Sequence, residues 1–165
     1  MAEHEPSCGA TDEWYTPPEI FQALGVEFDL DVASPAWGRA YLSVPARHFI
    51  CPPDDGLSAK WEGFVWMNPP FGGRNGHVPW LRRFIEHGNG LGLVRAYTSA
   101  AWFHDHVPAV DAVCFPRGKT KFVRPDGSRG NSPGHGIILM AMGPRATNAL
   151  RCSGLGMFYQ HRESA

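Results

Sequence analysis

The stretch Phe64-Val65-Trp66-Met67-Asn68-Pro69-Pro70-Phe71, followed by Gly72-Gly73, decides the fold of this chain. Four apolar residues that end in a polar, proline-rich loop are typical of a buried strand with functional groups beyond its carboxyl end. Each proline disfavours the helical backbone for the residue before it, so we expect Asn68 and Pro69 to leave the strand extended and rigid. Residues 64–71 therefore predict a core strand of a sheet with a site at its end.

The loop presents hydrogen-bond acceptors beside an aromatic ring. The side-chain oxygen of Asn68 and the carbonyl of Pro69 suit a planar nitrogen that carries two hydrogens, and Phe71 suits the ring behind it, as in the amino group of a nucleobase. Because the nitrogen lone pair is delocalised into that ring, two acceptors favour the pyramidal nitrogen that forms during attack on carbon. Asn68 is no base at neutral pH, so the amine must attack first, and the electrophile must be intrinsically reactive. A sulfonium methyl group meets that requirement.

The remaining pattern predicts one domain. With 165 residues and 43% apolar residues, the chain can form a single core. Residues 1–12 lack periodicity and are expected to be disordered. Strands alternate with helices, and we predict strands at 27–32, 64–67, 91–97, 111–115 and 155–159, with a hairpin whose arms are 121–124 and 135–142. This order predicts an α/β fold whose sheet is mainly parallel, with an antiparallel edge hairpin.

Several stretches resemble one family. Asn68 to Phe71 resembles the Asn-Pro-Pro-Tyr/Phe signature of S-adenosylmethionine-dependent amino methyltransferases. The order of the other stretches is similar to the phage-type DNA N6-adenine methyltransferases (the Dam-like phage family); these are Trp14-Tyr15-Thr16-Pro17-Pro18, Phe28-Asp29-Leu30-Asp31-Val32-Ala33-Ser34, Asp55-Gly56-Leu57 with Trp61, and Gly118-Lys119-Thr120-Lys121-Phe122. The resemblance covers roughly residues 12 to 143. It implies one Rossmann-like methyltransferase domain over residues 13–160, S-adenosyl-L-methionine as cofactor, and methyl transfer to the N6 amino group of a flipped adenine in DNA.

The resemblance implies that the catalytic residues are Asn68, Pro69, Pro70 and Phe71. The cofactor residues follow from the same comparison. Asp31 is expected to meet the methionine amino group or the ribose, and the small residues Ala33 and Ser34 to allow close approach. Asp55 is expected to reach the cofactor adenine, with the capping of a turn as its alternative. The chain lacks the Gly-x-Gly that many methyltransferases have after the first strand.

Thr16 is predicted to have two compatible roles. Thr16 before Pro17, with Glu19 three residues later, is typical of a helix N-cap with a capping box. Because a helix N-terminus favours an anion, we also expect the Thr16 hydroxyl to touch the cofactor carboxylate.

A basic stretch follows at residues 117–129, with five Arg or Lys against one Asp. Lys119, Lys121 and Arg124 are predicted to contact DNA phosphates, and by resemblance Phe122 faces the extruded base. The alternatives are a solvated hairpin and a phenylalanine packed in the core. The net charge of −1 disfavours a general nucleic-acid binder, which usually has a basic excess.

Other function classes find less support. The four cysteines are scattered without metal-ligand spacing, and His104 and His106 lie two residues apart, so no metal site is predicted. No leader and no membrane-spanning run are apparent, and we expect a cytoplasmic protein, in the bacterial host if a phage or prophage encodes it. The oligomeric state cannot be read from the sequence. Alternatives that remain open are an inactive nucleic-acid-binding relative, a methyltransferase for RNA or protein glutamine, and a small interaction protein.

Overall fold

The computed structural model describes residues 14–35, 43–70, 76–131 and 134–161. Within these ranges lie a short 3-10 helix, Val107–Ala109, four α-helices and seven strands. The helices are α1 Pro18–Leu24, α2 Val78–His87, α3 Ala101–His106 and α4 Pro144–Cys152. The strands are β1 Phe28–Asp31, β2 Ala46–Phe49, β3 Val65–Met67, β4 Gly90–Arg95, β5 Ala112–Pro116, β6 Ile137–Met142 and β7 Gly156–Gln160.

The strands form one mixed sheet in the order β2-β1-β3-β4-β6-β5-β7. The pairs β2-β1, β1-β3 and β3-β4 are parallel, and the pairs β4-β6, β6-β5 and β5-β7 are antiparallel. The predicted α/β class is confirmed, and the predicted strand before Asn68 lies inside the parallel half. The antiparallel part is wider than the edge hairpin that the sequence pattern indicated.

The predicted hairpin arm at Lys121 to Arg124 is wrong. Val123 makes only isolated bridges, to Tyr15 and to Arg129, and the sheet partners of β6 are β4 and β5. The reason is that both edges of β6 are already paired, one to β4 and the other to β5, so no edge is left for residues 121–124.

Hydrophobic clusters cover both faces of the sheet. One cluster joins α1 and α4 to the sheet through residues such as Phe21, Phe28 and Leu150, and the other joins α2 and α3 through residues such as Phe84 and Trp102. Strand β3 alternates between them, so each of its three residues is buried. A continuous apolar run is what a strand buried on both faces requires.

This topology fixes where the polar residues come together. β1 and β3 are neighbouring parallel strands with Asp31 paired to Trp66, so both strands run toward the same edge of the sheet. Asp31 ends β1, and Asn68 is the first residue after β3. The carboxyl edge of the sheet thus receives a carboxylate and an amide from adjacent strands, which is where open α/β sheets bind ligands.

Candidate active site

A cavity opens at this carboxyl edge and contains about 340 Å³ of empty space, part of it open to solvent. The residues that line it are Trp14, Tyr15, Thr16, Asp31, Ala33, Pro35, Ser43, Val44, Trp66 and Asn68. Four residues predicted for catalysis or cofactor contact, Thr16, Asp31, Ala33 and Asn68, therefore share one cavity. They come from three stretches that are distant in sequence, and the parallel pairing of β1 with β3 brings two of these stretches together.

The side chain of Asn68 is held by Thr16. Its Nδ2 donates a hydrogen bond to Thr16 Oγ1 at 3.0 Å, across 52 residues of sequence. Thr16 is only 2% exposed, and its backbone carbonyl accepts a hydrogen bond from the hydroxyl of Ser43. The NH₂ end of the Asn68 amide is thus engaged inside the protein, which leaves the amide oxygen as the acceptor for a bound group.

The predicted capping role of Thr16 is wrong. Helix α1 begins at Pro18, its N-cap is Pro17, and no side chain caps it. Because neither proline has an N–H, the first turn has fewer donors for a cap to bind, and the Ile20 N–H bonds the Pro17 carbonyl instead. Glu19 does not complete a capping box: its two carboxylate oxygens accept hydrogen bonds from Arg129 at 2.6 and 2.9 Å.

Asp31 is a buried carboxyl group with little compensation. It is 2% exposed, and its Oδ1 accepts one hydrogen bond, at 3.2 Å, from the Ala33 N–H. No ion pair with Asp31 occurs among the residues that the structure describes. Burial raises the pKa of Asp31 from its ordinary value of 3.8 to about 7, and the Ala33 N–H opposes this shift only in part. A buried carboxyl that titrates near neutral pH in a cavity marks a candidate functional group.

Ala33 and Ser34 continue the chain beyond Asp31. Ala33 lines the cavity, and Ser34 is 5% exposed with its N–H bonded to the Ile50 carbonyl at 2.9 Å. The Ser34 hydroxyl is buried and has no hydrogen-bond partner among the residues that the structure describes. Buried polar atoms are seldom left unpaired in native proteins, so this hydroxyl calls for an explanation.

Asp55 is not brought to this cavity. Its Oδ1 accepts the Leu57 N–H at 3.0 Å, and its carbonyl accepts the Ala59 N–H at 2.9 Å, so it caps the turn that was its predicted alternative. Gly56 packs against the Val32 carbonyl, which places the turn beside the end of β1. The sequence analysis did not identify the residue that anchors this turn, Arg83. The Arg83 guanidinium donates to the carbonyls of Gly56, Leu57 and Ala59.

The motif loop is described only in part. Pro69 is buried and Pro70 is exposed, and both follow the half-buried Asn68. Phe71, with its predicted stacking role, lies outside the described residues.

The predicted DNA-contacting residues separate into two groups. Lys119 and Lys121 are exposed. Phe122 is 9% exposed and belongs to a core cluster, so the structure shows the packed phenylalanine that was its alternative. Arg124 serves the loop itself: its guanidinium donates to the Arg129 carbonyl at 3.0 Å and lies 5.6 Å from the ring centroid of Trp14.

A further group at the end of β4 was not predicted. Tyr97 is 42% exposed, the Arg95 guanidinium lies 5.9 Å from its ring centroid, and the ring of His135 lies 5.4 Å away. Arg95 lies beyond the last residues that pair with β3, so this group shares the carboxyl edge with Asn68. The sequence signal that could have indicated this group is the charged Arg95 directly after the apolar run 91–94.

Beyond these residues, the part of the chain that the structure describes contains no group of three or more His, Cys, Asp and Glu side chains that could hold a metal ion. In these ranges, no helix has both the length and the apolar character needed to cross a membrane. His104, one of the two histidines considered for a metal, has its Nε2 2.7 Å from the Thr98 carbonyl oxygen.

Comparison with known protein families gives a match that covers most of the chain. A scan against protein-family models matches residues 6–149 to DNA N-6-adenine-methyltransferase (Dam). No curated protein and no solved structure gave a significant match. Because the family match spans most of the chain, the protein belongs to the DNA N-6-adenine-methyltransferase (Dam) family, which confirms the resemblance drawn from the ordered motifs.

Proposed function

We propose, from this family membership, that the protein transfers a methyl group from S-adenosyl-L-methionine to the N6 amino group of an adenine that has left the DNA duplex. The observation that carries the proposal is the pair of neighbouring strand ends in one cavity. Asn68 has its amide oxygen available there, and Asp31 contributes a buried carboxyl group. The parallel half of the sheet, with its site at the strand ends, is compatible with a Rossmann-like methyltransferase domain.

The residues after β1 fit the cofactor. Asp31 has no counter-ion among the described residues, so a bound amino group or a pair of ribose hydroxyls would satisfy a carboxylate that otherwise meets only the Ala33 N–H. The buried hydroxyl of Ser34, which has no partner within the described part of the chain, supplies a further polar group nearby. S-adenosyl-L-methionine, when bound, supplies a methyl group on a sulfonium centre. Asp31, Ala33 and Ser34 are the residues that we propose to hold it.

Asn68 and Pro69 are proposed to hold the adenine amino group. The Asn68 side-chain oxygen and the Pro69 carbonyl accept its two hydrogens, which favours a pyramidal nitrogen with an available lone pair. No base is needed at this stage because the nitrogen loses its proton after the new bond forms. Phe71 is proposed to stack on the adenine ring, as many enzymes that act on extruded bases do with an aromatic side chain.

The DNA is proposed to lie over the carboxyl edge of the sheet. We propose that the exposed Lys119 and Lys121 contact phosphates, and that Tyr97, with its neighbours Arg95 and His135, offers an exposed aromatic surface at the same edge as Asn68. Aromatic side chains beside cations stack on unpaired bases without strict sequence preference. Such a binding surface explains how a chain with net charge −1 can bind DNA, and the binding is expected to weaken with salt.

Substitution of Asn68 tests the proposal. The wild-type protein is incubated with unmethylated plasmid and labelled S-adenosylmethionine, and the DNA is digested to nucleosides for detection of N6-methyladenine. We expect Asn68→Ala to lower turnover by at least about 100-fold, the order found when one preorganised polar group is removed, while cofactor binding by calorimetry is preserved. Asn148→Ala, an exposed asparagine in α4, is the matched control. Equal turnover by Asn68→Ala and the control would refute the role of Asn68.

One observation favours a second candidate, an inactive nucleic-acid-binding relative. The segment Asp31-Val32-Ala33-Ser34 lacks the glycines that many methyltransferases have after the first strand. Calorimetry separates the two candidates, because an inactive relative need not bind S-adenosylmethionine. Methyl transfer to RNA or to a glutamine peptide, with none to DNA, would instead identify a different substrate.

A further inference from the structure

We infer that Thr16 is a positioning residue that sets the orientation of the Asn68 amide, which is a different role from the cofactor contact that its motif suggested. This inference rests on the proposed function, since it concerns how Asn68 meets the amino group of the target base. It stands on the hydrogen bond from Asn68 Nδ2 to Thr16 Oγ1 at 3.0 Å, and on the position of both side chains in the wall of the same cavity.

The orientation matters because the two ends of an amide have almost the same shape and opposite hydrogen-bonding character. The oxygen of Asn68 can accept a hydrogen from the adenine amino group, whereas its NH₂ end would meet that group donor to donor. A hydroxyl that accepts the Nδ2 hydrogen keeps the NH₂ end turned into the protein. With Thr16 as the acceptor of the Nδ2 hydrogen, the oxygen is the end of the Asn68 amide that is left for the target nitrogen.

The backbone conformation is restricted at both partners of the hydrogen bond, Thr16 and Asn68. Thr16 precedes Pro17-Pro18, and Asn68 precedes Pro69-Pro70, so the same Pro-Pro pattern follows each member of the hydrogen bond. A residue before proline is held away from the helical region, and this limits how far either side chain can drift. The hydrogen bond therefore joins two groups that are already placed, which reduces the entropy lost in forming it.

The segment that contains Thr16 is also held in place by hydrogen bonds from two other parts of the chain. Tyr15 exchanges two backbone hydrogen bonds with Val123, each 2.8 Å long, and the hydroxyl of Ser43 bonds the Thr16 carbonyl. Helix α1 does not use the Thr16 side chain, since its N-cap is Pro17. The hydroxyl of Thr16 therefore does not cap the helix, and within the described residues it accepts a hydrogen bond from Asn68.

The test compares Thr16→Val, which keeps the shape and removes the hydroxyl, with Thr16→Ser, which keeps the hydroxyl. Thr147→Val is the matched control, because Thr147 is also buried, at 5% exposure, and its hydroxyl bonds the Gly143 carbonyl at 2.9 Å in α4. Three quantities are measured on the full chain: kcat for DNA methylation at saturating cofactor, the Kd for S-adenosylmethionine, and the NMR signals of the Asn68 side-chain NH₂, assigned by their loss in Asn68→Ala.

We expect Thr16→Val to lower kcat by about tenfold, the factor that corresponds to the net contribution of one hydrogen bond, with an unchanged Kd for the cofactor. We expect Thr16→Ser to restore kcat, and Thr147→Val to leave it unchanged. The Asn68 NH₂ signals should shift in Thr16→Val and stay in place in Thr16→Ser. If Thr16→Val does not fold, Thr16→Ala replaces it in the same comparison.

Two results would overturn the inference. A weaker Kd with unchanged kcat at saturating cofactor would assign Thr16 to the cofactor alone, and unmoved Asn68 NH₂ signals in the valine variant would show that the two side chains do not interact in solution. Failure of the proposed function is recognised separately, because then the wild-type protein itself would not methylate DNA, whereas the NMR comparison would still decide whether Thr16 holds Asn68.

Discussion

Replacing Asp31 by Asn removes a titrating charge from the cavity without changing the shape of the side chain. The Asn oxygen can still accept the Ala33 N–H, so the local turn is kept. In the wild-type protein without ligand, burial raises the pKa of Asp31 to about 7, whereas the unfolded chain has the ordinary value of 3.8. Above pH 7 the folded protein must therefore hold an ionised carboxylate in a place that disfavours it. We expect Asp31→Asn to be more stable than the wild type under those conditions.

The two pKa values of Asp31 give the sign and the size of its contribution to the free energy of unfolding. Between about pH 4 and pH 7 the folded state keeps the Asp31 proton and the unfolded state does not, so the free energy of unfolding falls as the pH rises. The shift from 3.8 to about 7 spans about three pKa units, and at about 1.4 kcal/mol per unit it corresponds to about 4 kcal/mol. That is a large part of the roughly 5–15 kcal/mol that stabilises a typical domain. The stabilisation that comes from the proton on folded Asp31 is present in full below about pH 4 and lost above about pH 7.

Urea unfolding at several pH values between 4 and 9 measures this effect. Other groups titrate alike in both proteins, so the difference in unfolding free energy between Asp31→Asn and wild type isolates Asp31. We expect that difference to grow in favour of the variant from pH 4 to pH 7 and to stay constant above. Parallel profiles, or a variant that loses stability relative to wild type as the pH rises, would refute the reasoning. Calorimetry on the same proteins should show weaker binding of S-adenosylmethionine by the variant, because stability and binding make opposite demands on a functional residue.

Two further predictions concern the turn beside β1 and the surface at the end of β4. A Cβ at Gly56 would overlap the Val32 carbonyl oxygen, which is backbone and cannot yield, so Gly56→Ala should cost about 1–3 kcal/mol in urea unfolding. Gly136→Ala, whose new Cβ would have its nearest neighbour at 4.0 Å, should cost less, and equal costs would contradict the expected overlap. Tyr97→Ala should raise the KM for DNA by about tenfold with an unchanged cofactor Kd, as expected for the loss of one stacking ring. Tyr159→Ala, on the far edge strand and 56% exposed, is its control, and an equal rise there would indicate a nonspecific effect.

The features that the sequence predicted well have local signatures. Strand β3 was marked by an apolar run that stops at a Pro-Pro pair, and its burial on both faces follows from the same run. Asn68 was recognised as the polar residue after a strand, and Asp31 was identified from the resemblance of its stretch to the family. The parallel pairing of β1 with β3 then places both at one edge. Each of these predictions depends on residues that lie close together in sequence, within a strand and the loop that follows it.

The features that the sequence did not predict depend on distant partners. The position of β6 between β4 and β5 is set by strand pairing, for which residues 121–142 carry no local sign. Thr16 and Asn68 are 52 residues apart, and Arg129 and Glu19 are 110 apart. In both cases a strong local pattern, the capping box, indicated a partner that the folded chain does not use. Two prolines at the start of α1 remove the donors on which that pattern depends, and the side chains bind elsewhere.

The two neighbouring strand ends carry one acidic side chain, Asp31, and one neutral amide, Asn68. Asp31 and Asn68 line the same cavity, and burial by itself raises the pKa of Asp31 to about 7. An aspartate at position 68 would add a second carboxyl group to this cavity, and each would disfavour ionisation of the other. The proposed reaction has no need of a base at position 68, because the amine loses its proton after it has attacked. A neutral amide at position 68 therefore supplies the acceptor oxygen and leaves the single negative charge at Asp31, where a cationic cofactor can balance it.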